Sequence, residues 1–149
     1  MDTLFDPAAR ERILARLAAL RPDAPARWGK MDPAQALAHC ALALEAATGD
    51  HPSKQKLLGR ILAPLVRKSV LGPKPFSRNS PTDARLVVAD ARSFDPERER
   101  LLALVAKFAA AGPAGAAPWE HVFFGRLSGE EWGVLMHKHL DHHLTQFGA

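Results

Sequence analysis

"SGEEWGVLMHKHLDHHLTQF", residues 128–147, starts as a capped amphipathic helix and ends as a histidine cluster. Ser128 followed by Glu131 has capping-box spacing: the hydroxyl and the carboxylate can each take a free N–H of the first turn. At about 100° per residue, Trp132, Leu135, Met136, His139, His143 and Gln146 share one side, and His137 points nearly opposite. The apolar stripe of the first half thus runs into His139 and His143 in the second, with His142 at its edge. A stripe of this width needs partner helices.

Three Asp-Pro pairs supply them. Asp accepts hydrogen bonds from a first turn, and Pro after it has no N–H to leave unpaired. Asp6-Pro7 opens "AARERILARLAAL", placing Ile13, Leu14, Leu17 and Leu20 on one face. Asp32-Pro33 opens "AQALAHCALALEAA", with Gln35 in capping-box position. Asp95-Pro96 opens "ERERLLALVAKFAAA", which should stop at Gly112-Pro113. These predict an all-α fold: a four-helix bundle of one domain, residues 1–149, with a crossover of over forty residues between the second and third helices. Within the crossover, "KQKLLGRILAPLVRKSV" predicts one or two short helical turns interrupted at Pro64. "ARLVVA" predicts a brief extended run.

Composition bounds the function. No apolar run approaches the ~18 residues of a membrane span, and the opening "MDTLFDPAARER" does not resemble a secretory leader. A lone cysteine, Cys40, excludes an internal disulfide. A cytoplasmic protein with no membrane partner is expected. Residues 51–82 hold seven cations and no acid, leaving 13 basic against 16 acidic side chains elsewhere. That segment could meet an anionic ligand, or it is a solvated loop and short helix. It lacks the interleaved aromatics of a single-strand platform, so nucleic acid is not an expected partner. The linker aromatics Trp119, Phe123 and Phe124 suggest core or an interface, and a homodimer is expected.

His139 and His143, one turn apart with Cβ atoms ~5–6 Å apart, can converge on one ion. His39, which interrupts the apolar stripe of the second helix beside Ala43 and Ala46, is the best third ligand. Spacing alone leaves open a three-histidine site or hydrogen-bonded core histidines. Cys40 lies about 100° from that face and reads as a small buried hydrophobe. His121 either reaches the pocket mouth or packs among aromatics. Gln35 either lines the site or only closes its capping box. Asp141 should face solvent, and no paired carboxylates, Gly-rich phosphate loop or nucleophile elbow is present.

"WGKMDPAQALAHC" (residues 28–40), "HVFFGRLSGEEWG" (121–133) and "HKHLDHHLTQFG" (137–148) together resemble the DinB/YfiT-like superfamily over essentially the whole chain. The likeness is to a compact branch of undefined function. It implies an up-down-down-up helix order and a histidine triad of His39, His139 and His143 holding a divalent metal ion such as Zn, Ni or Fe. Gln146 stands where a Gln follows the second ligand of the last helix, and His142, Gln35, His121 and Trp132 are further pocket candidates. The resemblance also implies a metal-dependent transferase acting on a small-molecule substrate with a low-molecular-weight thiol. A metal-dependent hydrolase, or a non-catalytic metal-stabilised binding or stress-response module, are the alternatives.

Overall fold

A computed structural model describes all residues, Met1–Ala149. It is mostly helical: α1 (Pro7–Ala19), α2 (Pro33–Thr48), α3 (Leu57–Val70), α4 (Phe94–Ala116) and α5 (Gly129–Gln146). A two-stranded hairpin, β1 (Glu120–His121) and β2 (Gly125–Arg126), pairs antiparallel just before α5. The capping reasons given above operate at α1, α2 and α5. The Asp6 carboxylate accepts from the Ala8 N–H, and Asp32–Gln35 and Ser128–Glu131 both close as capping boxes.

α2 is the central element. Twelve of its sixteen residues are buried, and it packs chiefly along α4, while α5 touches α1, α2 and α4. Such all-round burial is why α2 reads as a run of alanines, which let neighbouring backbones approach closely. Trp132, Phe108, Leu4, Ile13, Leu17, Leu44, Leu101, Leu140 and Val105 form the fully buried centre of one apolar cluster. At roughly 1.5–3 kcal/mol for each such large side chain, this burial is the main favourable contribution to folding. One polar network crosses the α2–α4 seam. Arg100 donates to Glu45 Oε1 (Nε 3.0 Å, Nη2 2.5 Å) and to Glu97 (3.0 Å), and Arg92 donates to Glu97 (3.2 Å). α2 ends at Gly49 (φ 80°), where any Cβ would also strike the Trp119 indole.

Three local expectations are corrected. The stretch around Pro64 is one continuous helix of 14 residues. The proline removes only the bond to the Arg60 carbonyl, and both residues are exposed, so water can satisfy that oxygen. "ARLVVA" begins as a 3-10 turn (Ala84–Leu86), because Asp83 accepts from the Arg85 N–H and no strand lies beside it to pair with. α4 begins at Phe94, before the expected Asp95 cap. Its helical run breaks where anticipated, at Gly112 (φ 64°), with a further turn to Ala116. No helix is long and apolar enough to cross a membrane.

Candidate metal centre

α2 and α5 bring His39, His139 and His143 together although a hundred residues separate the first from the others. One nitrogen from each ring lies within 4.8 Å of the other two. The ring centroids are 4.8–4.9 Å apart and the planes meet edge-on at 67–84°. His39 Nε2 and His139 Nε2 are 2.9 Å apart. Two ligands of one ion with metal–nitrogen bonds of ~2.0–2.1 Å stand at most about 4 Å apart, so shifts of about 1 Å or less close all three on a single cation.

The surrounding hydrogen bonds determine which nitrogens face inward. The Trp28 carbonyl can only accept, so it takes the Gln146 Nε2–H (2.7 Å) and thereby sets the orientation of that amide. Gln146 Oε1 then faces His143 Nδ1 at 2.9 Å, which makes Nδ1 the donor and leaves Nε2 with its lone pair free. At His39, the Leu86 carbonyl accepts from Nδ1 (2.7 Å), again freeing Nε2. A backbone carbonyl or side-chain amide behind the ring is the usual support of a metal-bound imidazole.

Electrostatics keeps the rings neutral. Burial lowers the His39 pKa, with the Leu86 carbonyl opposing. Burial and then the neighbouring histidines put His139 well below the ordinary value. Burial, followed by the proximity of His39, lowers His143 to about 3. The group contains no carboxylate. The group therefore offers three uncharged nitrogens, which could hold a metal ion and would leave it its full charge.

The other candidates lie at different distances from this group. Gln146, 2 % exposed, is the support behind His143. His142 turns from the triad toward Trp28 and Phe76, with centroids 5.3 and 6.0 Å away, and Arg78 lies over Trp28 at 4.5 Å. Gln35 does not reach the centre: its Oε1 accepts from the Asp32 N–H and its Nε2 donates to the Asp90 carbonyl. Trp132 is core, with its indole N–H on the Trp119 carbonyl. Phe124 is buried, and Trp119 and Phe123 are partly so. Cys40 is buried with its thiol pKa raised by desolvation, and His137 faces Asp2 on the far side of α5. Asp141, which its helical angle from His139 sent to solvent, is half-exposed and paired with Arg16 at 2.5 Å.

A cleft of about 330 Å³ is lined by residues about one helical turn from His39 and His139 along α2 and α5, though by none of the three histidines themselves. Leu42, Ala43 and Ala46 continue the His39 face of α2 along it, Met136 precedes His139 on α5, and Leu86 is the residue whose carbonyl supports His39. His121 and Arg85 also line it. His121 Nδ1 accepts from the Phe123 and Phe124 N–H groups, both at 3.1 Å, and burial lowers its pKa to about 4. The ring is held neutral with its proton on Nε2. Sequence reasoning overlooked Arg85, Leu86 and the hairpin that fixes this tautomer. A strand of two residues leaves no alternation to read, and a backbone carbonyl has no sequence signature.

The profile of the family described as "Protein of unknown function (DUF1569)" matches residues 6–149. The chain belongs to that family. The match takes in both halves of the histidine group of this DUF1569 protein. No curated protein and no solved structure matches it.

Proposed function

We propose that this DUF1569 protein binds a divalent transition-metal ion through His39, His139 and His143 and is a metal-dependent enzyme acting on a small molecule, of the thiol-using S-transferase type. The helices α1, α2, α4 and α5 are read as a DinB-like four-helix arrangement around that ion, in a cytoplasmic protein. The observation that carries the reading is that one nitrogen of each of His39, His139 and His143 lies within 4.8 Å of the others with no carboxylate among them, while Leu86 and Gln146 occupy the Nδ1 of His39 and of His143 and leave both Nε2 lone pairs free. Without a cation, the 2.9 Å approach of His39 to His139 satisfies one lone pair only if His139 carries its proton on Nε2. When bound, the ion supplies Lewis acidity and lowers the pKa of a coordinated thiol or water.

The chain's own residues do the rest. Leu86 and Gln146 hold two of the rings in their ligating tautomers. The apolar walls of the cleft exclude water from a ligand's body, and the Arg85 guanidinium can meet an anionic group. His121 Nε2–H is a fixed neutral donor toward the cleft, able to stabilise charge developing on an acceptor or departing atom without itself becoming charged. Trp28, His142 and Arg78 add an aromatic and cationic wall on the other side of His143.

The test is metal analysis of tag-free protein, then of His39→Ala and His139→Ala. Near-stoichiometric metal in the parent and its loss in both variants is expected. Metal retained by both would refute the site. A panel of low-molecular-weight thiols against electrophiles, with and without added metal, tests the transferase reading. Metal-dependent hydrolysis without thiol would favour the hydrolase instead. A chelator that lowers Tm in a protein without turnover would favour the non-catalytic module.

A further inference from the structure

α3 is built inside out. Leu57, Leu58, Ile61 and Leu65 are 64–77 % exposed, and Leu62 and Val66 are exposed beside them. At about 100° per residue these six cover about 180° of the helix, and the two buried positions, Gly59 and Ala63, lie in the opposite half. The small residues face the protein for a steric reason: a Cβ at position 59 would come within 2.3 Å of the Phe123 carbonyl oxygen. Close approach through Gly59 therefore obliges the bulky aliphatic side chains to point outward. A contiguous exposed apolar face of this kind marks an interaction surface.

Charge indicates what covers it. No acid occurs between His51 and Thr82. Within that stretch, the ion pairs of Lys56 with Asp83 and of Arg67 with Glu131 draw on acids from outside it. Lys54, Arg60, Lys68 and Lys74 are exposed and join no ion pair. A second copy docking by a twofold axis would lay this patch on itself and set those cations against their own kind. A tight protein partner would be expected to find aromatic anchors, and the face has none. Aliphatic residues on one side, with unpaired Arg60 flanking them, Lys68 in the last turn and Lys54 and Lys74 beyond the helix ends, is the pattern of a helix lying in a lipid interface.

We propose that α3 docks the protein on anionic lipid bilayers, its face of Leu57, Leu58, Ile61, Leu62, Leu65 and Val66 in the headgroup–acyl boundary and Lys54, Arg60, Lys68 and Lys74 against lipid phosphates and carboxylates. At 14 residues the helix lies on the membrane and does not span it. The proposal stands independently of any metal.

The experiment is cosedimentation of the full chain with phosphatidylcholine vesicles, with and without about one-third phosphatidylserine. Binding to the anionic vesicles is expected, weakened by salt and by roughly fivefold for each charge removed in Arg60→Gln/Lys68→Gln. Ile61→Ser/Leu65→Ser, at exposed positions and so with an unchanged melting temperature, should lose binding by at least about tenfold. Failure to sediment with anionic vesicles at low salt overturns the proposal, as does binding unmoved by the serine pair. A concentration-dependent dimer that the serine pair dissolves would assign the face to a second copy and overturns it equally.

Discussion

Replacing Gln146 by Leu removes the amide behind His143 while conserving most of its volume. In the parent, that amide accepts from His143 Nδ1 at 2.9 Å and donates to the Trp28 carbonyl at 2.7 Å, in a position 2 % exposed. Leucine leaves both groups unpaired. Loss of one such support weakens metal binding by about 10–100-fold, or roughly 1.4–2.8 kcal/mol. Two orphaned, partly buried groups at about 1 kcal/mol each lower the stability of the metal-free protein by roughly 1–2 kcal/mol. Gln146→Glu separates the two effects. Its carboxylate still accepts from His143 Nδ1, so zinc affinity should match or exceed the parent's, while the Trp28 carbonyl loses its donor and stability falls. Competition titration of zinc against a chromophoric chelator, beside urea unfolding of the metal-free forms, measures both quantities. If folded Gln146→Leu bound zinc within threefold of the parent, or Gln146→Glu bound no better than Gln146→Leu, Gln146 would not be orienting a ligand.

Acid should unfold the metal-free protein over a defined range. His121 and His143 have folded pKa values of about 4 and about 3 against ~6.5 unfolded, so between these values the unfolded chain holds more protons. Stability is full above pH ~6.5 and falls as pH drops toward 3–4, each group costing roughly 2–3 kcal/mol by pH 4.5; denaturant titrations at pH 7.5 and 4.5 should show the loss, and equal midpoints would contradict it. Arg100→Ala leaves Glu45, whose Oε2 is already buried without a hydrogen bond, without its guanidinium. With Arg100 a third exposed, the expected loss is about 2–3 kcal/mol by urea unfolding, and an unchanged midpoint would show the network to be idle. Leu101→Ala, in the fully buried centre, should cost about 2–5 kcal/mol by the same assay. His121→Gln should leave zinc stoichiometry intact while lowering turnover of any substrate found, since its ring donates toward the cleft and does not belong to the histidine group; loss of zinc would place it among the ligands.

The primary structure by itself determined the helix starts, because a cap acts within four residues: Asp6-Pro7, Asp32-Pro33 and Ser128–Glu131 need no distant partner. It also determined that His139 and His143 share a face, since helical phase is local. The pairing of His39 with them was legible only as an inward imidazole on another apolar stripe, and the resemblance was needed to join the halves. The tertiary structure alone decided the rest. Gln35 was kept from the histidines because, beyond its local capping box, the Asp90 carbonyl came within reach of its amide N–H. His121 became a fixed donor because a hairpin of two-residue strands aimed two backbone N–H groups at it. α3 turned its leucines outward because the Phe123 backbone admits only small residues beneath it, which reverses what amphipathic spacing would suggest. The division follows contact range: caps and phase are set by neighbours along the chain, whereas ring tautomers, the cleft and the outward face of α3 depend on atoms that only folding brings together.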